Sequence, residues 1–194
     1  MGVLGYLTIG LSIVWALPSI RDIAKRRSRA PSAQKDRGSL LVVLIVNCLS
    51  VGSAVFIKVA PSAVGRIGAI TSFSPYTGFF GCALMVVGMV VRRAAIATLK
   101  SQFTVDVNVD NSYKLIDKGL YSAVRHPAYL GGQITMLGFG LALENWVAVL
   151  VLVVPTLAAH LYRIAVEERA LVAHFGSSYV DYMKRTKRLI PGVF

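Results

Sequence analysis

The sequence AYLGGQITMLGFGLALENWVAVLVLVVPTLAAHLY, residues 128–162, carries one charged side chain, Glu144, in 35 positions. A helix needs about 20 apolar residues to cross a hydrocarbon core of roughly 30 Å. The block is therefore too long for a single span, and the polar pair Glu144-Asn145 interrupts it near the middle. We predict a tight hairpin of two membrane helices.

Three further uncharged runs precede this block. They cover residues 3–20, 39–57 and 67–91, which are 18, 19 and 25 residues long. Each is about long enough to form one membrane-spanning helix. The sequence therefore predicts an all-α integral membrane protein with five transmembrane helices, the last two forming the hairpin. The spans of residues 1–99 would form an N-terminal part, and residues 100–194 a catalytic region.

Composition supports a membrane location but shows a large net positive charge that needs explanation. Apolar residues make up 55% of the chain and charged residues only 15%, with a mean hydropathy of +0.63. An ordinary soluble domain is nearer a quarter charged. These values exclude a disordered tail, a disulfide scaffold and a conventional soluble enzyme. Yet 21 Lys and Arg against 9 Asp and Glu leave a net charge of +12.

The positions of the basic residues indicate that the net positive charge reflects the orientation of the chain in the membrane. Seven lie between Arg21 and Gly38, whereas the loop after the second span holds only Lys58 and Arg66. The positive-inside rule then places the N-terminus outside and the Arg21 loop in the cytoplasm. Segments 92–127 and 163–194 would also be cytoplasmic. No aromatic residue interleaves with the bases of the loop, so we expect attraction to anionic lipid and no nucleic-acid partner.

Neither a metal site nor a nucleotide-binding loop is indicated. The histidines and cysteines, His126, His160, His174, Cys48 and Cys82, show no zinc-ligand spacing. The glycines at 138 and 140 lie inside a predicted span and follow no strand, so they are better explained by close helix packing. Any chemistry should therefore lie in the two cytoplasmic polar segments.

The first polar segment, a loop at residues 100–127, ends in a distinctive motif at the start of the fourth span. Residues 113–116 read as a short extended stretch, and Arg125-His126-Pro127-Ala128-Tyr129 follows. Pro127 fits the first turn of a helix because its missing N–H would have been unpaired there, and it disfavours a helical conformation at His126. His126 should thus be presented at a helix start.

The second polar segment, residues 163–194, opens with ionisable residues at the membrane boundary. Arg163 and Glu167 are four apart and share a helix face, while Glu168 points about a quarter turn away. They could be functional, or Arg163 and Glu167 could form an interfacial pair worth only a few tenths of a kcal/mol. Helix termination is predicted at 175–176, and tyrosines at 179 and 182 then recur beside basic residues. This pattern is typical of a short helix lying on the membrane surface.

These residues together resemble the isoprenylcysteine carboxyl methyltransferase family, over about residues 100–191. The motifs that carry the resemblance are Tyr113 to Ile116, Gly119 to Tyr121, Arg125 to Gly131, Arg163, Glu167-Glu168, Phe175-Gly176 and Tyr179 to Tyr182. The combination of Arg-His-Pro-x-Tyr with Glu-Glu is specific to a group of integral membrane methyltransferases but not to one substrate, because phospholipid N-methyltransferases and small-thiol methyltransferases share it. Some membrane sterol reductases carry a related arrangement with a different cofactor.

The resemblance implies S-adenosylmethionine as the cofactor and assigns roles to matching residues. The implied cofactor-binding residues are Tyr113, Lys114, Leu115, Ile116, Tyr121, His126, Pro127, Ala128, Tyr129 and Glu167. Arg163 matches an arginine implicated in binding the substrate carboxylate, and the predicted catalytic residues are Arg163, Glu167 and Glu168. The chain departs from the family near Phe103, Asp106 and Tyr113, which leaves the substrate open.

The chemistry of methyl transfer agrees with these assignments. The cofactor carries cationic groups that an acid can bind, and its sulfonium charge is lost in an in-line displacement that depends on alignment and water exclusion. A carboxylate substrate needs no general base, but it needs a cation such as Arg163. An amine substrate would need deprotonation by His126 or Glu168.

The sequence therefore predicts methyl esterification of a prenylated cysteine or a similar lipophilic carboxylate at the cytoplasmic face. Alternatives are a phospholipid N-methyltransferase or a thiol S-methyltransferase of the same fold. A nicotinamide-dependent membrane reductase or a membrane scaffold without enzymatic activity would be more remote. The expected partners are the lipophilic substrate and membrane lipid, without metal or nucleic acid.

Overall fold

A computed structural model describes residues 3–27, 38–59, 66–99 and 115–192. Within these ranges the regular structure is helical, with two isolated bridges and no β-strand. The α-helices are α1 (Val3–Arg27), α2 (Ser39–Val59), α3 (Tyr76–Leu99), α4 (Pro127–Ala142), α5 (Trp146–Phe175) and α6 (Ser177–Arg185), and a 3₁₀ helix covers Gly119–Ser122. The predicted all-helical class is confirmed for the described part of the chain.

Three of these helices are long and apolar enough to cross a membrane, namely α2, α3 and α5. The beginning of α1, Val3–Trp15, is a shorter apolar stretch, and α4 has 16 residues. The chain is thus an integral membrane protein by the length and composition of its helices. The sequence predicts five spans, whereas three of the described helices meet both the length and the hydropathy criterion for crossing a membrane.

The predicted hairpin break between α4 and α5 is present at residues 143–145. Glu144 has a φ of 54°, the left-handed region that reverses the chain tightly. Asn145 caps α5, because its Oδ1 accepts a hydrogen bond from the Ala148 N–H at 3.0 Å, while its Nδ2 donates to the Ile67 carbonyl at 2.9 Å. Trp146 N–H also donates to the Gly68 carbonyl at 2.8 Å. The turn is therefore tied to the segment before α3.

This tie explains why α3 does not coincide with the uncharged run 67–91. Ile70 N–H donates to the Glu144 carbonyl at 2.8 Å, and Gly68 has a φ of 76°. Residues 66–70 are thus tied to the turn, and Gly68 adopts a conformation that favours glycine. The helix begins later, at Tyr76, and continues beyond Arg92 to Leu99.

Glycines bring α3 and α4 into very close antiparallel contact. A Cβ atom added at Gly131 would lie 2.6 Å from both Arg92 N and Gly88 O, and one added at Gly138 would lie 2.6 Å from Gly81 O and Met85 N. Neither distance leaves room for a side-chain carbon. Small residues at such crossings let helix backbones approach in membranes. This contact fixes the start of α4 against the end of α3.

We expect Gly131→Ala to destabilise the protein by about 1–3 kcal/mol, because the added methyl group forces the backbones of α3 and α4 apart. The measurement is thermal unfolding in detergent. Gly52→Ala in α2 is the matched control, since nothing lies within 4 Å of its added Cβ. Equal melting temperatures for the two variants would contradict the close crossing.

The helix ends that carry polar side chains meet at one end of the bundle. Ser39 at the start of α2 contacts Arg163 of α5, and Arg92 near the end of α3 donates to the Ala128 carbonyl at the start of α4. We call this the polar end. The α4–α5 turn lies at the opposite end, where Ala54 of α2 shares a core cluster with the first turns of α5.

Candidate functional site

The segment leading into α4 pairs with the chain that follows α6. Arg125 N–H donates to the Lys187 carbonyl at 2.8 Å, His126 N–H to the Arg188 carbonyl at 3.2 Å, and Lys187 N–H to the Ala123 carbonyl at 3.2 Å. These bonds join positions about 60 residues apart in the sequence. The C-terminal segment is therefore part of the polar end.

Glu168 joins the segment before α4 to the segment after α6. Its Oε1 accepts a hydrogen bond from Arg125 Nε at 2.8 Å, and its Oε2 lies 2.8 Å from an Arg188 terminal nitrogen. Arg125 also donates to the carbonyl groups of Met183 and Thr186. The Glu168 side chain is 6% exposed. Its carboxylate is thus engaged by two guanidinium groups, and we name Arg125, Glu168 and Arg188 the arginine clamp.

His126 lies between the two predicted acids. Pro127 occupies the first turn of α4, as predicted, and His126 precedes it as the N-cap residue. Its Nδ1 is 3.6 Å from Glu167 Oε2, and its Nε2 is 3.4 Å from Glu168 Oε1. The residue is buried, and Nε2 forms no hydrogen bond to any part of the chain that the structure describes. The nearest polar group to Nε2 is the Glu168 carboxylate, at a distance longer than an ordinary hydrogen bond.

A second polar cluster joins three helices one turn farther into the bundle. The Tyr129 hydroxyl donates to Glu167 Oε1 at 2.5 Å and accepts from Arg163 Nε at 2.9 Å. A terminal nitrogen of Arg163 donates to Ser39 Oγ at 2.9 Å. We name Ser39, Tyr129, Arg163 and Glu167 the Tyr129 network.

Arg163 and Glu167 do form the predicted i,i+4 pair, with Arg163 Nε 3.3 Å from Glu167 Oε1. However, the Arg163 side chain is only 4% exposed and that of Glu167 21%. A weak surface pair is therefore not the correct description. Burial makes the Arg163 charge dependent on its partners, because an uncompensated buried charge is costly.

Tyr121 links the 3₁₀ helix to the same site. It is buried against Ala95 and Ala128, and its carbonyl accepts a hydrogen bond from the Tyr182 hydroxyl at 2.6 Å. Burial, and next the nearby negative charge of Glu167, raise the pKa of the Tyr121 phenol. The phenol therefore stays protonated at neutral pH and can donate a hydrogen bond.

The predicted C-terminal helix exists, but its tyrosines do not face lipid. Tyr179 and Tyr182 are 2% and 3% exposed in α6. Their burial raises both pKa values, that of Tyr182 to about 12. The predicted short helix is present, and its tyrosine face packs on the protein; its location at the membrane surface stays a prediction.

The structure brings together most of the predicted site residues. Those that meet at the polar end are Tyr121, His126, Pro127, Ala128, Tyr129, Arg163, Glu167 and Glu168. Leu115 and Ile116 are partly buried, and Ile116 packs on the cluster of Tyr121. Tyr113 and Lys114, together with the departures at 103 and 106, lie outside the described residues.

Sequence reasoning did not assign roles to several residues of the polar end. They are Ser39, Arg125, Arg188 and, deeper in the bundle, Gln133, Thr156 and His160. A signal for two of them exists in the sequence: Thr156, His160, Arg163 and Glu167 recur at spacings of four, three and four, which places them on one helix face. Ser39 and Arg188 have no comparable signal, since only the tertiary fold brings them to α5.

Comparison with known proteins identifies the family. A protein-family model described as phospholipid methyltransferase matches residues 76–178, just over half of the chain. Protein-S-isoprenylcysteine O-methyltransferase B of Arabidopsis thaliana is 31% identical over 116 residues, which are 59% of each protein. The Schizosaccharomyces pombe protein-S-isoprenylcysteine O-methyltransferase is 32% identical over 159 residues, or 78% of this chain and 65% of the relative.

A solved structure has a similar fold. It is that of a eukaryotic intramembrane Ras methyltransferase, isoprenylcysteine carboxyl methyltransferase, with a TM-score of 0.58 and 26% identity. The match covers 77% of this chain and 52% of the other. The chain thus spans between about half and two thirds of the length of the relatives named here. It belongs to the phospholipid methyltransferase family, and the predicted resemblance to the isoprenylcysteine carboxyl methyltransferases is confirmed.

Proposed function

We propose that the chain is an S-adenosylmethionine-dependent membrane methyltransferase that esterifies the carboxylate of a prenylated cysteine or a similar lipophilic substrate. The observation that carries the proposal is the Tyr129 network, in which one hydroxyl joins a buried cation, Arg163, to a partly exposed acid, Glu167. Three of its four residues, all except Ser39, lie in the segment that the family model matches. The proposed reaction itself is taken from the names of the relatives, which are protein-S-isoprenylcysteine O-methyltransferases.

The residues at the polar end fit the proposed cofactor. Glu167 offers a carboxylate to a cationic group. Its Oε2 lies 3.6 Å from His126 Nδ1, which is longer than a hydrogen bond. Buried His126 Nε2 offers a polar contact, and Tyr121 an aromatic wall. When bound, S-adenosylmethionine supplies a methyl group activated by a sulfonium. Glu167, His126 and Tyr121 would bind and orient it.

Arg163 would hold the substrate carboxylate. A guanidinium binds a carboxylate through charge-assisted hydrogen bonds and keeps its charge when buried. Ser39 and Tyr129 fix the guanidinium from two helices. The carboxylate is ionised at neutral pH, so the site needs no general base. Alignment and exclusion of water are then the main contributions of the protein.

The polar end would face the cytoplasm, with α1 and α4 completing five spans. Lys58, in the last turn of α2, and Arg66 lie at the opposite end, whereas the basic residues that begin with Arg21 precede Ser39, which begins α2 at the polar end. This asymmetry matches the positive-inside rule. The lipid chain of the substrate would lie beside the apolar helices while its carboxylate meets Arg163.

A phospholipid amine is the second candidate substrate, because the family model carries that description. Methylation of an amine requires removal of a proton. Glu168 is a poor acceptor, since its carboxylate is held by Arg125 and Arg188. His126 would then be the base. A thiol remains a third possibility within the same fold.

The test is methyl transfer from labelled S-adenosylmethionine by the purified chain in detergent. We expect transfer to a farnesylcysteine analogue and little to phosphatidylethanolamine or a small thiol. Efficient transfer to either of the latter, with none to farnesylcysteine, would overturn the substrate assignment. Thermal stabilisation by S-adenosylhomocysteine but not by a nicotinamide cofactor is also expected, since a ligand stabilises the state that binds it. Stabilisation by neither would favour a scaffold.

A further inference from the structure

Three buried polar side chains lie below the Tyr129 network. They are Gln133 of α4 and Thr156 and His160 of α5, which are 9%, 0% and 6% exposed. Gln133 Nε2 is 2.8 Å from His160 Nδ1 and 3.3 Å from Thr156 Oγ1. Polar groups this deep in an apolar bundle are costly unless they are paired. Their hydrogen bonds with one another offset this cost and fix the three side chains relative to one another.

The direction of these hydrogen bonds follows from chemistry. The shortest contact of the Thr156 hydroxyl is with the Leu152 carbonyl oxygen, at 2.5 Å, so its single hydrogen is donated there. Thr156 Oγ1 is then an acceptor for the amide nitrogen of Gln133. An amide nitrogen can only donate, so His160 Nδ1 must accept from Gln133. His160 is thereby held neutral, with its hydrogen on Nε2.

The ring of His160 supports Tyr129. The two ring centroids are 5.0 Å apart with an interplanar angle of 43°, within the range of favourable aromatic contacts. The Tyr129 hydroxyl in turn joins Arg163 to Glu167. We propose that Thr156, Gln133 and His160 form a positioning relay that fixes the His160 ring and, through it, the Tyr129 hydroxyl between Arg163 and Glu167. The tautomer follows from the orientation of the Gln133 amide, with its nitrogen toward His160, whereas the effect on ligand binding rests on the proposed function.

Two substitutions at Thr156 separate the relay from simple packing. Thr156→Val keeps the volume but loses the hydroxyl, and Thr156→Ser keeps the hydroxyl but loses a methyl group. The relay predicts that Val weakens S-adenosylhomocysteine binding about five- to tenfold, as expected for one buried hydrogen bond, and that Ser changes it less than about twofold. Gln133→Leu should behave like Thr156→Val.

A matched control lies on α4. Thr135 is buried, and its hydroxyl donates to the Gly131 carbonyl of its own helix. Thr135→Ala should therefore leave the affinity unchanged. If Thr156→Ser weakens binding more than Thr156→Val, the role of Thr156 is packing and the relay is wrong. Unchanged affinity in both Thr156→Val and Gln133→Leu would overturn it as well.

A spectroscopic measurement tests the relay without a ligand. In a chain labelled with ¹⁵N-histidine, the His160 signals, assigned by their loss in His160→Phe, should show Nδ1 without hydrogen and Nε2 with hydrogen. Thr156→Val and Gln133→Leu should shift this tautomer balance. A wild-type Nδ1–H tautomer would contradict the relay itself. Absence of S-adenosylhomocysteine binding by wild type, with the expected tautomer present, would instead overturn the proposed function and the positioning role that rests on it.

Discussion

Glu167→Gln is expected to weaken S-adenosylhomocysteine binding by at least about 30-fold, because truncating or neutralising one member of a buried charged contact costs about 2–5 kcal/mol. The substitution keeps the shape of the side chain and its hydrogen bond with Tyr129 but removes the negative charge. Arg163, which lies 3.3 Å from Glu167, also loses its acidic partner. Titration calorimetry in detergent measures the affinity.

Glu144→Gln is the control for this change. It makes the same replacement in the α4–α5 turn, at the opposite end of the bundle, and should leave the affinity within about twofold, as expected for a distant and independent site. Retention of wild-type affinity by Glu167→Gln would remove Glu167 from the cofactor site. An equal loss in both variants would mean that the bundle, and not the acid, had been disturbed.

Arg125→Leu should lower the free energy of unfolding by about 3 kcal/mol, because it leaves a buried carboxylate short of one of its two guanidinium partners. The substitution also removes the donor to the carbonyl groups of Met183 and Thr186. Arg188 is 35% exposed and keeps its contact with Glu168, so it compensates only in part. The expected signs are a lower melting temperature in detergent and faster proteolysis after α6.

Arg185→Leu provides the comparison for the clamp. Arg185 lies 3.7 Å from Asp117, and the two side chains are 64% and 41% exposed, so the loss of this pair should change stability little. A melting temperature of Arg125→Leu equal to that of Arg185→Leu would show that the arginine clamp does not hold the C-terminal segment.

The sequence reasoning succeeded where the signal is local. The break at Glu144-Asn145 follows from two polar residues inside an apolar block, and the helix start at Pro127 follows from the geometry of proline. The shared face of Arg163 and Glu167 follows from helical periodicity. Each of these predictions depends on residues within a few positions of one another, and the structure confirms each of them.

The parts that could not be predicted depend on tertiary contacts. The beginning of α3 is set by bonds between residues 66–70 and the α4–α5 turn, which are more than 70 positions apart. From the sequence, Glu168 is a candidate base. The two arginines that hold this carboxylate could not be predicted, because they come from segments 43 and 20 positions away. The burial of Tyr179 and Tyr182 against the protein could not be predicted, because the spacing of these residues on α6 does not reveal whether lipid or protein covers them.

The most direct test of the central claim is the chemical nature of the methylated product. A methyl ester of a carboxylate is cleaved by alkali and releases labelled methanol, whereas N-methyl and S-methyl products survive the same treatment. We expect the wild-type chain, given labelled S-adenosylmethionine and a farnesylcysteine analogue, to form alkali-labile product, and Arg163→Leu to form little. Label that withstands alkali, or wild-type rates in Arg163→Leu, would contradict esterification of a carboxylate held by Arg163.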